Sequence, residues 1–246
     1  MTETDKRPVH FVGIAGAGMS GLAELFVRRG IRVTGCDSNP ANAGDLERLG
    51  IDVLEGHDPS HVEGAAEVIV TSAMKKDHPE LARARALGIP VTRRAEALGK
   101  AVSTGKLVGI AGTHGKTTTT VMTTLALDSA GLAPTGIAGG RVGAWNGNLS
   151  EGSELLFVVE ADEYDRSFHA LSPDVAVVTN MEADHLDIYP GGIDEIRDAF
   201  AQYVRGARVV VLCADDEGAC SLPAPNTAEV IRYGIDSREA RLVARN

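Results

Sequence analysis

Residues 108–120 read Val-Gly-Ile-Ala-Gly-Thr-His-Gly-Lys-Thr-Thr-Thr-Thr. An apolar run, a glycine turn, and a helix start carrying a lysine and hydroxyls are what a bound triphosphate requires. Small residues let the backbone wrap the phosphates with its N–H groups inward. The helix N-terminus adds partial positive charge, Lys116 adds a full one, and a threonine hydroxyl can take a Mg²⁺. The candidate phosphate residues are Gly112, Thr113, His114, Gly115, Lys116, Thr117 and Thr118. The common nucleotide loop carries glycine five residues before Gly115, where this chain has Ile110, so this loop is a shorter variant.

Two acidic clusters follow apolar runs downstream. Residues 155–160 read as a strand buried on both faces and lead into Glu160-Ala161-Asp162-Glu163-Tyr164-Asp165. A carboxylate at the end of such a strand, beside a triphosphate loop, is placed to hold a metal. Glu160 is the favoured ligand; Asp162, Glu163 and Asp165 stay open between that role and a solvated turn. Residues 175–179 form the next strand and lead into Asn180-Met181-Glu182-Ala183-Asp184-His185-Leu186-Asp187. His185 shares the strand-end placement of Glu160 and is a second candidate metal contact.

A second glycine loop precedes all of this. A strand at 9–14 leads into Gly16, Gly18 and Gly21 in G-x-G-x-x-G spacing. A helix at 21–29 and a strand at 31–36 ending in Asp37 complete the context of a pyrophosphate-binding fingerprint. Asp37 stands where a ribose-binding carboxylate is expected. NAD and a uridine diphosphate sugar both suit the motif, and a tight turn without a ligand would use the same glycines. His57, after Gly56 near a strand end, is either a surface loop residue or a ligand contact. Lys75-Lys76-Asp77 reads as a solvated turn.

The elements needed to position these loops follow the α/β pattern. In the first half, helices are expected at 41–49, 79–87 and 94–100, with strands at 52–54, 68–71 and 90–92. That is one mononucleotide-sized unit. In the second half, a helix is expected at 117–130, with apolar Val121, Met122, Leu125 and Leu127. Strands at 106–111, 134–137, 208–212 and 230–233 and a helix at 193–204 complete it, with 138–152 as a Gly/Asn-rich loop. The boundary falls near residue 100. The expected architecture is a Rossmann-like N-terminal domain, 1–100, followed by a P-loop NTPase-like α/β domain, 101–246, that is incomplete at its C-terminal side.

Composition sets the outer limits. The chain has 246 residues, is 43% hydrophobic and carries a net charge of −10. That charge argues against nucleic acid or an anionic membrane surface as partner. The N-terminus is polar and no apolar run approaches membrane-spanning length, so a cytoplasmic location is expected. Cys36, Cys213 and Cys220 have no pairing or metal-site pattern and read as reduced thiols.

The segments GTHGKTTTT, EADEYDRSF and VVTNMEADHLDIY, in this order, resemble the ATP-dependent Mur ligases of peptidoglycan synthesis. GIAGAGMSGLAE, CDSN and TSAMKKDHPE resemble the first domain of the branch that joins L-alanine to the carboxylate of UDP-N-acetylmuramate. The resemblance implies that Gly16, Ala17, Gly18, Met19 and Ser20 lie near the pyrophosphate of the UDP-sugar. It places Asp37, Ser38 and Ser72 along the nucleotide, and Asn146 near the muramate. It implies an ATP site in which Lys116 contacts phosphate, Thr117 and Glu160 hold one Mg²⁺, and His185 serves a second, making Lys116, Glu160 and His185 the catalytic set. The implied reaction runs through an acyl phosphate. Family members carry a third, C-terminal domain, and ending at Asn246 the chain is expected to lack it. The alternatives are a ligase that reattaches recycled peptide and a non-catalytic nucleotide-sugar-binding fragment.

Overall fold

The computed structural model describes residues 6–72, 74–75 and 77–245. Ala73 and Lys76, which belong to the TSAMKKDHPE segment and the expected lysine turn, lie outside the described residues. The chain divides into two compact units, Met1–Leu98 with Gly139–Leu149, and Gly99–Ala138 with Ser150–Asn246.

The first unit is built on a parallel five-stranded sheet. Its strands are β1 (Val9–Val12), β2 (Val33–Asp37), β3 (Asp52–Glu55), β4 (Glu67–Val70) and β5 (Val91–Arg93), in the order β3-β2-β1-β4-β5. Every residue of β1 is buried, as expected for a strand covered on both faces. Helix α1 (Ala17–Arg28) buries Met19, Leu22 and Leu25 on one face, and Phe26 meets Phe11 edge-on at 5.7 Å. Helices α2 (Gly44–Glu47) and α3 (Pro79–Ala86) complete the unit, and α4 (Arg94–Val102) carries the chain onward. The helix expected over 41–49 is instead a 3₁₀ turn, Pro40–Asn42, followed by the single turn of α2. Pro40 opens the segment, Gly44 stands at the break between the two pieces, where glycine weakens a continuous helix, and Gly50, with φ +77°, closes it.

The second sheet has eight strands. Its members are β6 (Lys106–Ala111), β7 (Pro134–Val142), β8 (Gly147–Ser150), β9 (Ser153–Glu160), β10 (Val175–Val178), β11 (Val209–Cys213), β12 (Glu229–Gly234) and β13 (Leu242–Val243). The order is β13-β12-β11-β10-β6-β9-β7-β8. Helices are α5 (Lys116–Ser129), α6 (Ile193–Val204) and α7 (Glu217–Cys220). Helix α6 buries Ile196, Ala199, Phe200 and Tyr203 at helical spacing. Phe168 stacks on Tyr203 at 4.9 Å and meets Phe200 edge-on at 5.2 Å.

Several expectations change here. The stretch 138–152 is no simple loop: β7 runs on to Val142, a 3₁₀ turn follows at Gly143–Trp145, and β8 pairs beside it. Residues 139–149 group with the first unit. Strand β9 is buried on both faces only from Phe157, since Leu155 is 74% exposed. Helix α5 buries Thr120 and Thr124 while Met122 and Leu125 face outward; Thr124 Oγ1 satisfies itself on Thr120 O at 2.8 Å. Finally, a short strand, β13, follows β12 and pairs with it in parallel, beyond the last strand expected at 230–233.

Candidate functional site

Strand order alone explains where the two glycine loops lie. In the first sheet β1 sits between β2 and β4, and in the second β6 sits between β9 and β10. At such a reversal the connections leave to opposite sides, opening a crevice at the carboxyl ends of the strands. The loop after β1 and the loop after β6 occupy these two positions.

The loop after β6 is fixed by its neighbours. Gly112 has φ +138°, and a side chain there would run into Thr179 Oγ1. Gly115 caps α5 in the left-handed conformation. Asn180, at the end of β10, staples the turn: its carbonyl accepts from Thr113 N–H at 3.2 Å, its Oδ1 accepts from His114 N–H at 2.7 Å, and its Nδ2 donates to His114 O at 3.0 Å. The N–H groups of Thr113 and His114 are therefore spent within the protein. The donors left by helix geometry are those of the first turn, at Lys116, Thr117 and Thr118. The motif presents the whole loop as a ligand cradle and gives Asn180 no part in it; its place two residues past β10 is the available signal.

Lys116 Nζ turns back over the loop, donating to Gly112 O at 2.7 Å and Thr113 O at 3.3 Å. It also meets both carboxylate oxygens of Glu163, at 2.8 and 3.0 Å. Glu163 is buried, and burial pushes its carboxyl above the usual range, against the opposing pull of Lys116. His185 Nε2 stands 3.9 Å from Glu163 Oε1. Lys116, Glu163 and His185 thus come together, and Glu163, left open at the sequence level, is their centre. Glu160 ends β9 opposite Ile110 in register, one strand across from the loop. Asp162 Oδ1 accepts from Tyr164 N–H. The backbone here is held tightly: Asp165 and Arg166 are both left-handed, with φ of 52° and 55°. Buried Tyr189 donates its hydroxyl to Glu163 O at 2.6 Å. Consecutive non-glycine residues in that region cost on the order of 1–3 kcal/mol each and persist where the surroundings dictate them.

In the first unit, Gly16 caps α1 and Gly18 lies under the Arg94 guanidinium, 3.0 Å from where a Cβ would stand. A cavity of 620 Å³, a volume suited to a small ligand, is lined by Ala15, Gly16, Ala17 and Ser20, with Arg48, Arg141 and Asn148 among its other walls. Asn148 Nδ2 donates to Ala17 O at 3.0 Å. Asp45 accepts from Arg141 Nε at 2.9 Å and also pairs with Arg48, and the Arg141 hydrogen bond holds its carboxyl below the usual range. Arg48, Arg141 and Asn148 were not among the sequence candidates. Several that were take other roles. Met19 is buried and its N–H donates to Gly16 O. Asp37 accepts from Ala15 N–H and Asn39 N–H, both at 2.9 Å, so it braces the glycine loop. Ser38, Ser72 and Asn146 are exposed and lie outside the cavity wall, as does His57, which faces Glu80 instead.

Residues 110–246 match the Mur ligase middle domain, and residues 8–106 match the Mur ligase family catalytic domain. The chain belongs to the Mur ligase family. It is 44% identical over 235 residues to the UDP-N-acetylmuramate–L-alanine ligase of Clavibacter michiganensis, covering 95% of this chain and 49% of the relative. The enzyme of the same name from Acidithiobacillus ferrooxidans is 41% identical, covering 98% and 52%. Among solved structures, the UDP-N-acetylmuramate–alanine ligase of Thermotoga maritima superposes with a TM-score of 0.82 at 30% identity, covering 94% of this chain and 53% of that one. A UDP-N-acetylmuramate:L-alanyl-gamma-D-glutamyl-meso-diaminopimelate ligase from Neisseria gives 0.83 at 29%, covering 92% and 78%. The chain spans about half the length of the curated relatives it matches. Among the described residues no helix is long and apolar enough to cross a membrane.

Proposed function

We propose that this chain carries the UDP-sugar and ATP phosphate sites of a Mur ligase that joins L-alanine to the carboxylate of UDP-N-acetylmuramate. The observation that carries the reading is the convergence of Lys116, Glu163 and His185 over a helix N-terminus at the β6 switch point. A lysine with a ready anionic partner is set to exchange that partner for phosphate. The relatives' names supply the substrate pair.

In this reading the N–H groups at the start of α5 and Lys116 hold the phosphates of ATP. Thr117 and Glu160 offer hard oxygen donors that fit Mg²⁺, and His185 with Glu163 serves a second ion. Bound Mg²⁺ supplies neutralisation of the phosphate charge. The substrate carboxylate attacks the γ-phosphorus, giving an acyl phosphate and ADP. The alanine amine then displaces phosphate at the carbonyl, forming the amide and releasing a proton. A carboxylate is a poor nucleophile toward an anion, which is why cations must crowd this site. In the first unit, Arg48 and Arg141, both paired with Asp45 on the cavity wall, are the guanidinium groups that would exchange that carboxylate for the pyrophosphate. A ligase for recycled peptide is the second reading, since the Neisseria enzyme superposes as well, at 0.83, as the alanine ligase does at 0.82.

Calorimetric titration tests the reading. The chain is expected to bind UDP-N-acetylmuramate in preference to UDP-N-acetylglucosamine and NADH, and to show little ligation by itself. Tighter binding of NADH would overturn it. Comparing alanine with tripeptide as acceptor separates the two ligase readings.

A further inference from the structure

Four of the seven histidines gather in the first unit around one buried glutamate. Glu80, in the first turn of α3, is fully buried, and its ion-pair partners among the described residues are His57, His61 and His78. Its two oxygens are treated differently. Oε1 is well supplied, with the Cys36 thiol at 3.1 Å, His61 Nδ1 at 3.0 Å and the Asp58 N–H at 3.3 Å. Oε2 faces two imidazole nitrogens, His57 Nδ1 at 3.2 Å and His78 Nδ1 at 3.7 Å. The second distance is too long for a hydrogen bond, and His78 Nδ1 is buried with no hydrogen-bond partner.

We infer that His57 Nδ1, His78 Nδ1 and Glu80 Oε2 form a site for a divalent transition metal of the zinc class. Metal bonds of about 2.0–2.1 Å in a tetrahedron place neighbouring ligand atoms about 3.3 Å apart, and the two separations at Oε2 bracket that value. The two rings stand nearly perpendicular, with centroids 4.8 Å apart, so both nitrogens converge without the rings colliding. Imidazole donors select zinc-like ions over magnesium. His61 and the Asp58 N–H, on the other oxygen, fix the carboxylate as outer-shell groups do. The His57 side chain is 25% exposed, which leaves an entry path, and water completes the coordination. The ion would tie the 57–61 segment to the start of α3. All three ligands belong to the first unit, whereas Lys116 and Glu160 belong to the second.

The test uses the whole chain stripped with chelator and titrated with Zn²⁺, then with Co²⁺ followed by its visible absorption. One equivalent is expected to bind and raise the melting temperature. His78→Ala removes a nitrogen that makes no hydrogen bond in the protein together with the ring contact to His57, so circular dichroism and a metal-free melting curve first establish that the variant is folded. Its zinc affinity should fall roughly a hundredfold or more, exceeding the loss typical of a supporting residue. His185→Ala, at a histidine beside carboxylates of the second unit, should keep binding at the Glu80 cluster. Absence of stoichiometric zinc, or zinc affinity unchanged in a folded His78→Ala protein, would overturn the assignment.

Discussion

Lys116 and Glu163 stabilise each other and, in the proposed reaction, must part. Removing the lysine alone leaves a buried carboxylate uncompensated, which typically costs about 3–5 kcal/mol. The carboxyl of Glu163 is already pushed upward by burial, so protonation relieves part of that cost. Lys116→Met is therefore expected to lose about 2–4 kcal/mol in urea denaturation. The double variant with Glu163→Gln should recover most of this stability and none of the MgATP binding. Equal MgATP affinity in the double variant and wild type would separate the lysine from the nucleotide. Asn180 works at the same scale. Asn180→Ala removes the acceptor of His114 N–H and should cost about 1–3 kcal/mol, with weaker MgATP binding, as read by denaturation and titration.

At the scale of elements, loops depend on what the neighbouring strand allows. Gly112 needs its positive φ and the space beside Thr179. Gly112→Ala should destabilise the second unit by several kcal/mol, on the order of 2–4, visible as a lowered denaturation midpoint; a neutral result would contradict the packing described. The turn after β12 depends on one carboxylate. Asp215 accepts from the N–H groups of Ile235, Asp236 and Ser237, at 2.5, 3.2 and 2.7 Å. These bonds, that of Ile235 foremost, hold its carboxyl below the usual range. The sign follows directly: a depressed folded value means its contribution is present above the unfolded value and is lost as pH falls through the folded one. Asp215→Asn should speed hydrogen exchange at residues 235–237 at neutral pH, with the difference from wild type vanishing in strong acid. Elements with strong signals were legible in the sequence: β1, β6, both glycine loops and α6. The hairpin of β7 and β8 was not, because glycine and asparagine mask its alternation, and the exposed apolar face of α5 was not, because periodicity does not say which face is covered.

Across the whole molecule, the two units each repeat one arrangement, a glycine loop at the switch point of a parallel sheet. The motifs made both loops readable. What they left out were partners from other strands and turns, such as Asn180, Glu163, Arg48 and Arg141, which no spacing rule connects to the loops. The Glu80 cluster was hidden for the same reason, since its histidines are spread over residues 10–78. Separate sites predict separable binding: Lys116→Met should leave UDP-N-acetylmuramate affinity within about twofold of wild type, a difference below the ~1.4 kcal/mol of a tenfold change. The most direct test of the central claim is a calorimetric titration of MgATP into the wild-type chain and into Lys116→Met with Glu163→Gln. One magnesium-dependent site is expected in the wild type, with at least about a tenfold loss of affinity in the variant. Equal binding by both proteins, or binding indifferent to magnesium, would contradict that claim.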